Sequence, residues 1–120
     1  MRTVLSISLA FALILACGNG AGQGIAAMGA NDCGVWVKAR KENLASLLEA
    51  HLIGFLDGMA AGRATEIWEA QGVKMSAEQA YLWMDKYCQS NPLSHVITGA
   101  HSLANERTNG AFGRRAKVLQ

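Results

Sequence analysis

The side chains able to do chemistry in this 120-residue sequence are few, and their spacing is poor for it. There are three histidines, His51, His95 and His101. His95 and His101 are six residues apart, on different faces of a helix, so they do not form the i, i+4 pair of a helical zinc site. His51 falls in an apolar stripe with Leu47, Leu48 and Phe55, where a packed core or interface histidine is the plainer reading. No Ser, Cys or carboxylate pair has the spacing of an activated nucleophile or an acid–base couple. Gly54, Gly58 and Gly62 repeat as G-x-x-x-G, but within a helical pattern rather than after a strand, so they are not a phosphate loop. The expectation is a chain that is not an enzyme, with no catalytic residue, no metal ligands and no cofactor.

The thiols are more informative. Residues 1–31 carry one charge, Arg2, followed by the apolar run Val4 to Ala16. That run is too short to span a bilayer, which needs about 20 residues. Gly18, Gly20, Gly22 and Gly24 follow at once and would break a helix. The pattern is an export signal. Two processing routes stay open. A general signal peptidase would cut near Ala27-Met28-Gly29 or Met28-Gly29-Ala30. Alternatively, Leu13-Ile14-Leu15-Ala16-Cys17 is a lipobox with Ile14 where Leu is more usual, Cys17 carries the lipid, and the Gly-rich stretch to residue 31 is a tether. Export leads to an oxidising compartment, in which cysteines pair. With Cys17 removed or lipidated, Cys33 and Cys88 remain to form a disulfide. That bridge closes a loop worth about 4 kcal/mol on a loop-entropy model.

These groups need elements to position them. Composition is globular, 51% hydrophobic and 17% charged. Asn31-Asp32 reads as the cap of a short helix from Cys33 to about Arg40, with Lys38, Arg40 and Lys41 at its exposed end. Over residues 44–62, Leu44, Leu47, Leu48, His51, Leu52, Phe55, Leu56 and Met59 recur at three and four, the signature of one helical face. Ala50, Gly54, Gly58 and Gly62 form a small-residue ridge beside it. Each interior glycine costs a helix about 1 kcal/mol against alanine. The expectation is therefore that Gly54 and Gly58 lie where two helices approach closely, within the fold or in a dimer. This helix continues towards Trp68, and Gln71-Gly72 ends it.

Ser76-Ala77-Glu78-Gln79 is a capping box, which opens a helix to about Gln89 with Ala80, Trp83, Met84, Tyr87 and Cys88 inward. Asn91-Pro92 reads as the cap and first residue of a last helix to about Arg107, lined by Leu93, Val96, Ile97, Ala100, Leu103 and Ala104. No alternating β run of useful length occurs. The expected fold is all-α, a small four-helix domain over 32–109 with one structural disulfide. It follows a signal peptide (1–16, or to 29) and a Gly-rich segment (17–31), and precedes a basic, disordered tail (110–120). The tail holds Arg114, Arg115 and Lys117, whereas 31–109 carries seven basic and nine acidic residues. The folded part thus lacks the basic face of a nucleic-acid binder. Membrane attachment would come only through a lipid at Cys17. Trp36, Trp68, Trp83, Tyr81 and Tyr87 are core residues or anchors for a protein partner.

Three blocks carry a resemblance: Asp32-Cys33-Gly34-Val35-Trp36-Val37, Leu52-Ile53-Gly54-Phe55-Leu56-Asp57-Gly58, and Trp83-Met84-Asp85-Lys86-Tyr87-Cys88-Gln89-Ser90-Asn91-Pro92. In order and spacing they resemble the Rap/Tai-type immunity proteins, which neutralise type VI secretion amidase effectors in the periplasm. The resemblance covers residues 32–107. It implies an all-helical fold, dimerisation, and a protein partner such as an amidase effector, without indicating which residues bind. The alternatives of another class are a periplasmic acid-stress chaperone of the HdeA type, equally small, helical and disulfide-bonded, or an envelope protein of unassigned role.

Overall fold

The computed structural model describes residues 31–113. Cys17, the expected signal, the Gly-rich stretch before Asn31 and the basic residues Arg114, Arg115 and Lys117 lie outside them. The described residues form four α-helices and no strand: α1 (Cys33–Lys41), α2 (Ser46–Arg63), α3 (Ala77–Ser90) and α4 (Val96–Arg107), with a single 3-10 turn at Ala70–Gly72. The all-α fold with one Cys33–Cys88 disulfide is as the sequence led us to expect. α1 packs on α3, α3 on α4, and α4 on α2. The core between them holds Trp36, Leu52, Leu56, Ile67, Met84, Val96, Ala100 and Leu103.

Local signals place most helix ends. The Asp32 carboxylate accepts from the Val35 N–H at 2.8 Å and opens α1. At α3 the capping box closes in both directions: Ser76 Oγ accepts from the Gln79 N–H, and Gln79 Oε1 accepts from the Ser76 N–H.

Four boundaries or faces differ from expectation. First, α2 stops at Arg63, where Ala64 turns into the left-handed region (φ 47°). The chain then loops to Met75 instead of continuing as helix to Trp68. Ile67, Ala70 and Met75 bury that loop, and Arg107 donates from its guanidinium to the carbonyls of Ile67, Trp68 and Val73. Second, α4 begins at Val96, not Pro92. Asn91 instead closes α3, its backbone and side-chain N–H groups both donating to the Tyr87 carbonyl. Residues 91–95 stay out of the helix because they pair with the chain ahead of α1. Cys33 N–H donates to Ser94 O, and Val96 N–H donates to Asn31 O. Leu93 is consequently not on an inner face but 95% exposed.

Third, Leu44 and Leu47 are exposed, Leu47 by 79%. Leu47 and Leu56 are nine residues apart, about two and a half turns, and so lie on opposite sides of α2. Only the side carrying Leu52 and Leu56 reaches the core. Fourth, the ordered body runs past 109. Phe112 is 4% exposed, with the Arg63 guanidinium 5.4 Å from its ring centre and donating to Ala111 O.

Candidate functional site

Among the described residues, the junction of α1 with α3 gathers the densest set of polar and charged contacts. Cys33 and Cys88 are bridged, with Cα atoms 4.9 Å apart, and both are buried. One turn further along α1, Trp36 is fully buried and its Nε1–H donates to Asp85 Oδ1 at 2.8 Å. One turn further again, Arg40 reaches the same carboxylate through Nε and Nη2, and donates from Nη1 to Glu49 on α2. Its guanidinium also lies over the rings of Trp36 and Tyr81, at 5.9 and 5.8 Å from their centres. Arg40 and Asp85 thus tie three helices together.

The protonation of the group follows from this geometry. Burial pushes the Asp85 carboxyl up, but the hydrogen bonds from Arg40 and Trp36 and the Arg40 charge outweigh it and hold the carboxyl below its usual value. Arg40 is raised, chiefly by its hydrogen bond to Asp85, against the opposing effect of burial. Tyr81 is raised by burial first, then by the Glu49 and Glu78 charges. Arg40 and Asp85 therefore each hold the other in its charged form, and the cluster acts as a clasp.

The histidines are not assembled into a site. His51 is half-buried on α2, His95 is exposed at the cap of α4, and His101 is exposed within it. Among the described residues no group of three or more His, Cys, Asp or Glu side chains is arranged to hold a metal ion. The aromatic pairs divide. Tyr81 packs against Trp36, whereas Trp83 stacks on Tyr87 (centres 5.4 Å apart) and donates to Glu106. Trp68 donates from Nε1 to Asp57 at 2.6 Å.

Among the described residues, two open surfaces bear on function. The first is the outward side of α2. A Cβ built at Gly54, Gly58 or Gly62 meets nothing within 4 Å, so the expected close crossing at Gly54 and Gly58 is not made within the described chain. The ridge faces outward instead, with Leu47, Ala50 and Ala61 on the same exposed side. The tight crossing is at Gly99 on α4, where a Cβ would meet Met84 Sδ and Tyr87 Cδ1 at 2.7 Å. The second is a cleft of about 640 Å3 between α1 and the C-terminal end of α3, lined by the disulfide, Val37 and Pro92 among others.

Sequence reasoning identified the disulfide but missed the Arg40–Asp85 clasp, Arg107 and Gly99. Arg40 and Asp85 are 45 residues apart, and no local spacing links them. Compared with family models, with curated proteins and with solved structures, the chain has no match in any of the three.

Proposed function

We propose that this chain is an exported, non-enzymatic protein-binding module of the periplasm, and that the outward side of α2 is its contact surface. The composition of that side carries the reading. It presents Leu47, Ala50, Gly54, Gly58, Ala61 and Gly62 to solvent. The exposed charges on α2 are Asp57 and Arg63, both already engaged, with Trp68 and with the Ala111–Phe112 segment. A helix face that only meets water ordinarily carries charged side chains. Two interior glycines, Gly54 and Gly58, also cost about 2 kcal/mol of helix propensity, and no packing among the described residues offsets that. A partner backbone laid against the ridge would offset it.

A disulfide in the core accords with an oxidising, exported location. The resemblance of the three blocks to Rap/Tai-type immunity proteins supports a cell-wall amidase as partner, with a second copy of this chain as a further occupant of the same face. A lipid on Cys17 would hold the module at the membrane.

The test uses Gly54→Leu with Gly58→Leu, which adds bulk to the outward face where a Cβ meets nothing within 4 Å. The variant should melt above the wild-type temperature, since both substitutions gain helix propensity in open space. Calorimetric titration with the amidase encoded nearest its gene, and sedimentation for self-association, should show at least about tenfold weaker binding. If the wild type neither binds nor self-associates, or if the variant matches it in both, the proposal fails.

A further inference from the structure

We propose that the cleft beside the Cys33–Cys88 bridge is a second docking site, shaped for an extended protein segment that carries a carboxylate next to an apolar side chain. It lies on α1 and the end of α3, not on the α2 face, and it is independent of that reading.

The argument begins with charge. Residues 31–109 carry seven basic and nine acidic side chains, a net of −2. Against that background α1 holds Lys38, Arg40 and Lys41 and no acid. Arg40 is neutralised by Asp85 and Glu49. Lys38 and Lys41 are not: neither has a carboxylate within ion-pair distance among the described residues, which show only the two Arg40 bridges. Three residues apart on one helix, they are neighbours on the same flank. Both line the cleft together with Glu42, so its lining keeps one positive charge in excess.

The rest of the cleft fits a peptide. Its apolar lining is the disulfide, Val37 and Pro92. Gly34 adds no side chain to it, and Gln89, from α3, brings an amide able both to donate to and accept from a peptide backbone. The hollow is open to solvent, which suits a chain passing across it better than an enclosed lipid tail. A second hollow of about 440 Å3 adjoins it and shares Val37, Lys41 and Gln89 in its lining. Next in the chain to Pro92, Leu93 is held out in water at 95% exposure, in a turn pinned by Ser94 to α1. An apolar side chain fixed in that position is an anchor for a partner's apolar group. The lysines then select and orient the segment, since rim charges give specificity more than affinity.

The experiment is an NMR titration of the oxidised, isotope-labelled mature protein with acetyl-Leu-Asp-Leu-Glu-amide and with its neutral twin, acetyl-Leu-Asn-Leu-Gln-amide. The acidic peptide should give saturable shifts at Gly34, Val37, Lys38 and Gln89, and the neutral one should bind about fivefold or more weakly. Lys38→Glu with Lys41→Glu should weaken the acidic peptide by about tenfold or more. Leu93→Ser should weaken both peptides. Leu93→Ser should melt like the wild type, and the charge reversal, which puts two anions in the last turn of α1, should melt somewhat lower while staying folded. Absence of saturable shifts, or shifts indifferent to the charge reversal, would overturn the proposal. Tighter binding of dodecanoate than of peptide at the same residues would overturn the peptide as occupant. Shifts confined to α2 would sink this site while leaving the α2 reading intact.

Discussion

Asp85 shows how much one side chain can organise. It accepts from Trp36 on one oxygen and from Arg40 on both, and Arg40 in turn reaches Glu49. Each partner is about three-quarters shielded from solvent. Asp85→Asn keeps the shape but removes the charge, leaving Trp36 and Arg40 with a weaker acceptor. The expected cost is about 1 kcal/mol, the lower end for a charged hydrogen bond because the group is partly screened. The carboxyl titrates lower in the folded protein than in the unfolded chain. Its contribution is therefore complete above the unfolded carboxyl value of about 3.9 and is lost as pH falls through the lower folded value. Urea midpoints measured down the acid limb should fall less steeply for Asp85→Asn than for the wild type. Equal slopes would show that Asp85 does not titrate with folding.

At the scale of elements, the glycines of α2 and α4 do opposite things. At Gly99 an added methyl meets the Met84 thioether and the Tyr87 ring. Tyr87 has little room to give, since its hydroxyl is hydrogen-bonded to Ser94 and its ring is stacked on Trp83. Gly99→Ala gains about 1 kcal/mol of helix propensity but incurs overpacking of about 1–3 kcal/mol, so the net effect is destabilising. Gly54→Ala and Gly58→Ala meet open space and should each stabilise the isolated chain by about 0.5–1 kcal/mol. Denaturant unfolding of the three variants checks the order. A destabilised Gly58→Ala beside a neutral Gly99→Ala would move the tight crossing back to α2. The capping box of α3 was fully legible in the sequence because its four residues are contiguous. The start of α4 was not, because a pairing with residues 31–33 overrides the Asn-Pro signal.

Over the whole molecule, α1 is an arm whose principal packing is with α3, and the disulfide anchors its first residue. The bridge closes a separation of 55 residues. Its loss, by reduction or by Cys33→Ser with Cys88→Ser, should lower the unfolding free energy by about 4 kcal/mol on the loop-entropy account. Hydrogen exchange should show α1 opening first, with Trp36 exposed, while the loop held by Arg107 stays protected. Equal denaturant midpoints for the oxidised and reduced protein would rule out this role for the bridge. At the other end, Phe112 packs into the core and extends the body to Gly113.

What the sequence determined by itself is what short-range chemistry and simple counting can carry. It sufficed for the helical class, the positions of α1, α2 and α3 to within a few residues, and the Cys33–Cys88 pairing. Periodicity also showed that α2 has an apolar stripe, but not how wide a stripe would be used. Packing on α4 covers the side with Leu52 and Leu56 and leaves Leu47 and the glycines outside. Only the tertiary structure decided that, along with the Arg40–Asp85 clasp, the Arg107 loop anchor and the Gly99 crossing. The reason is the same in each case. Those contacts join residues distant in the chain, and their free energy depends on which surfaces face each other, which no local propensity encodes.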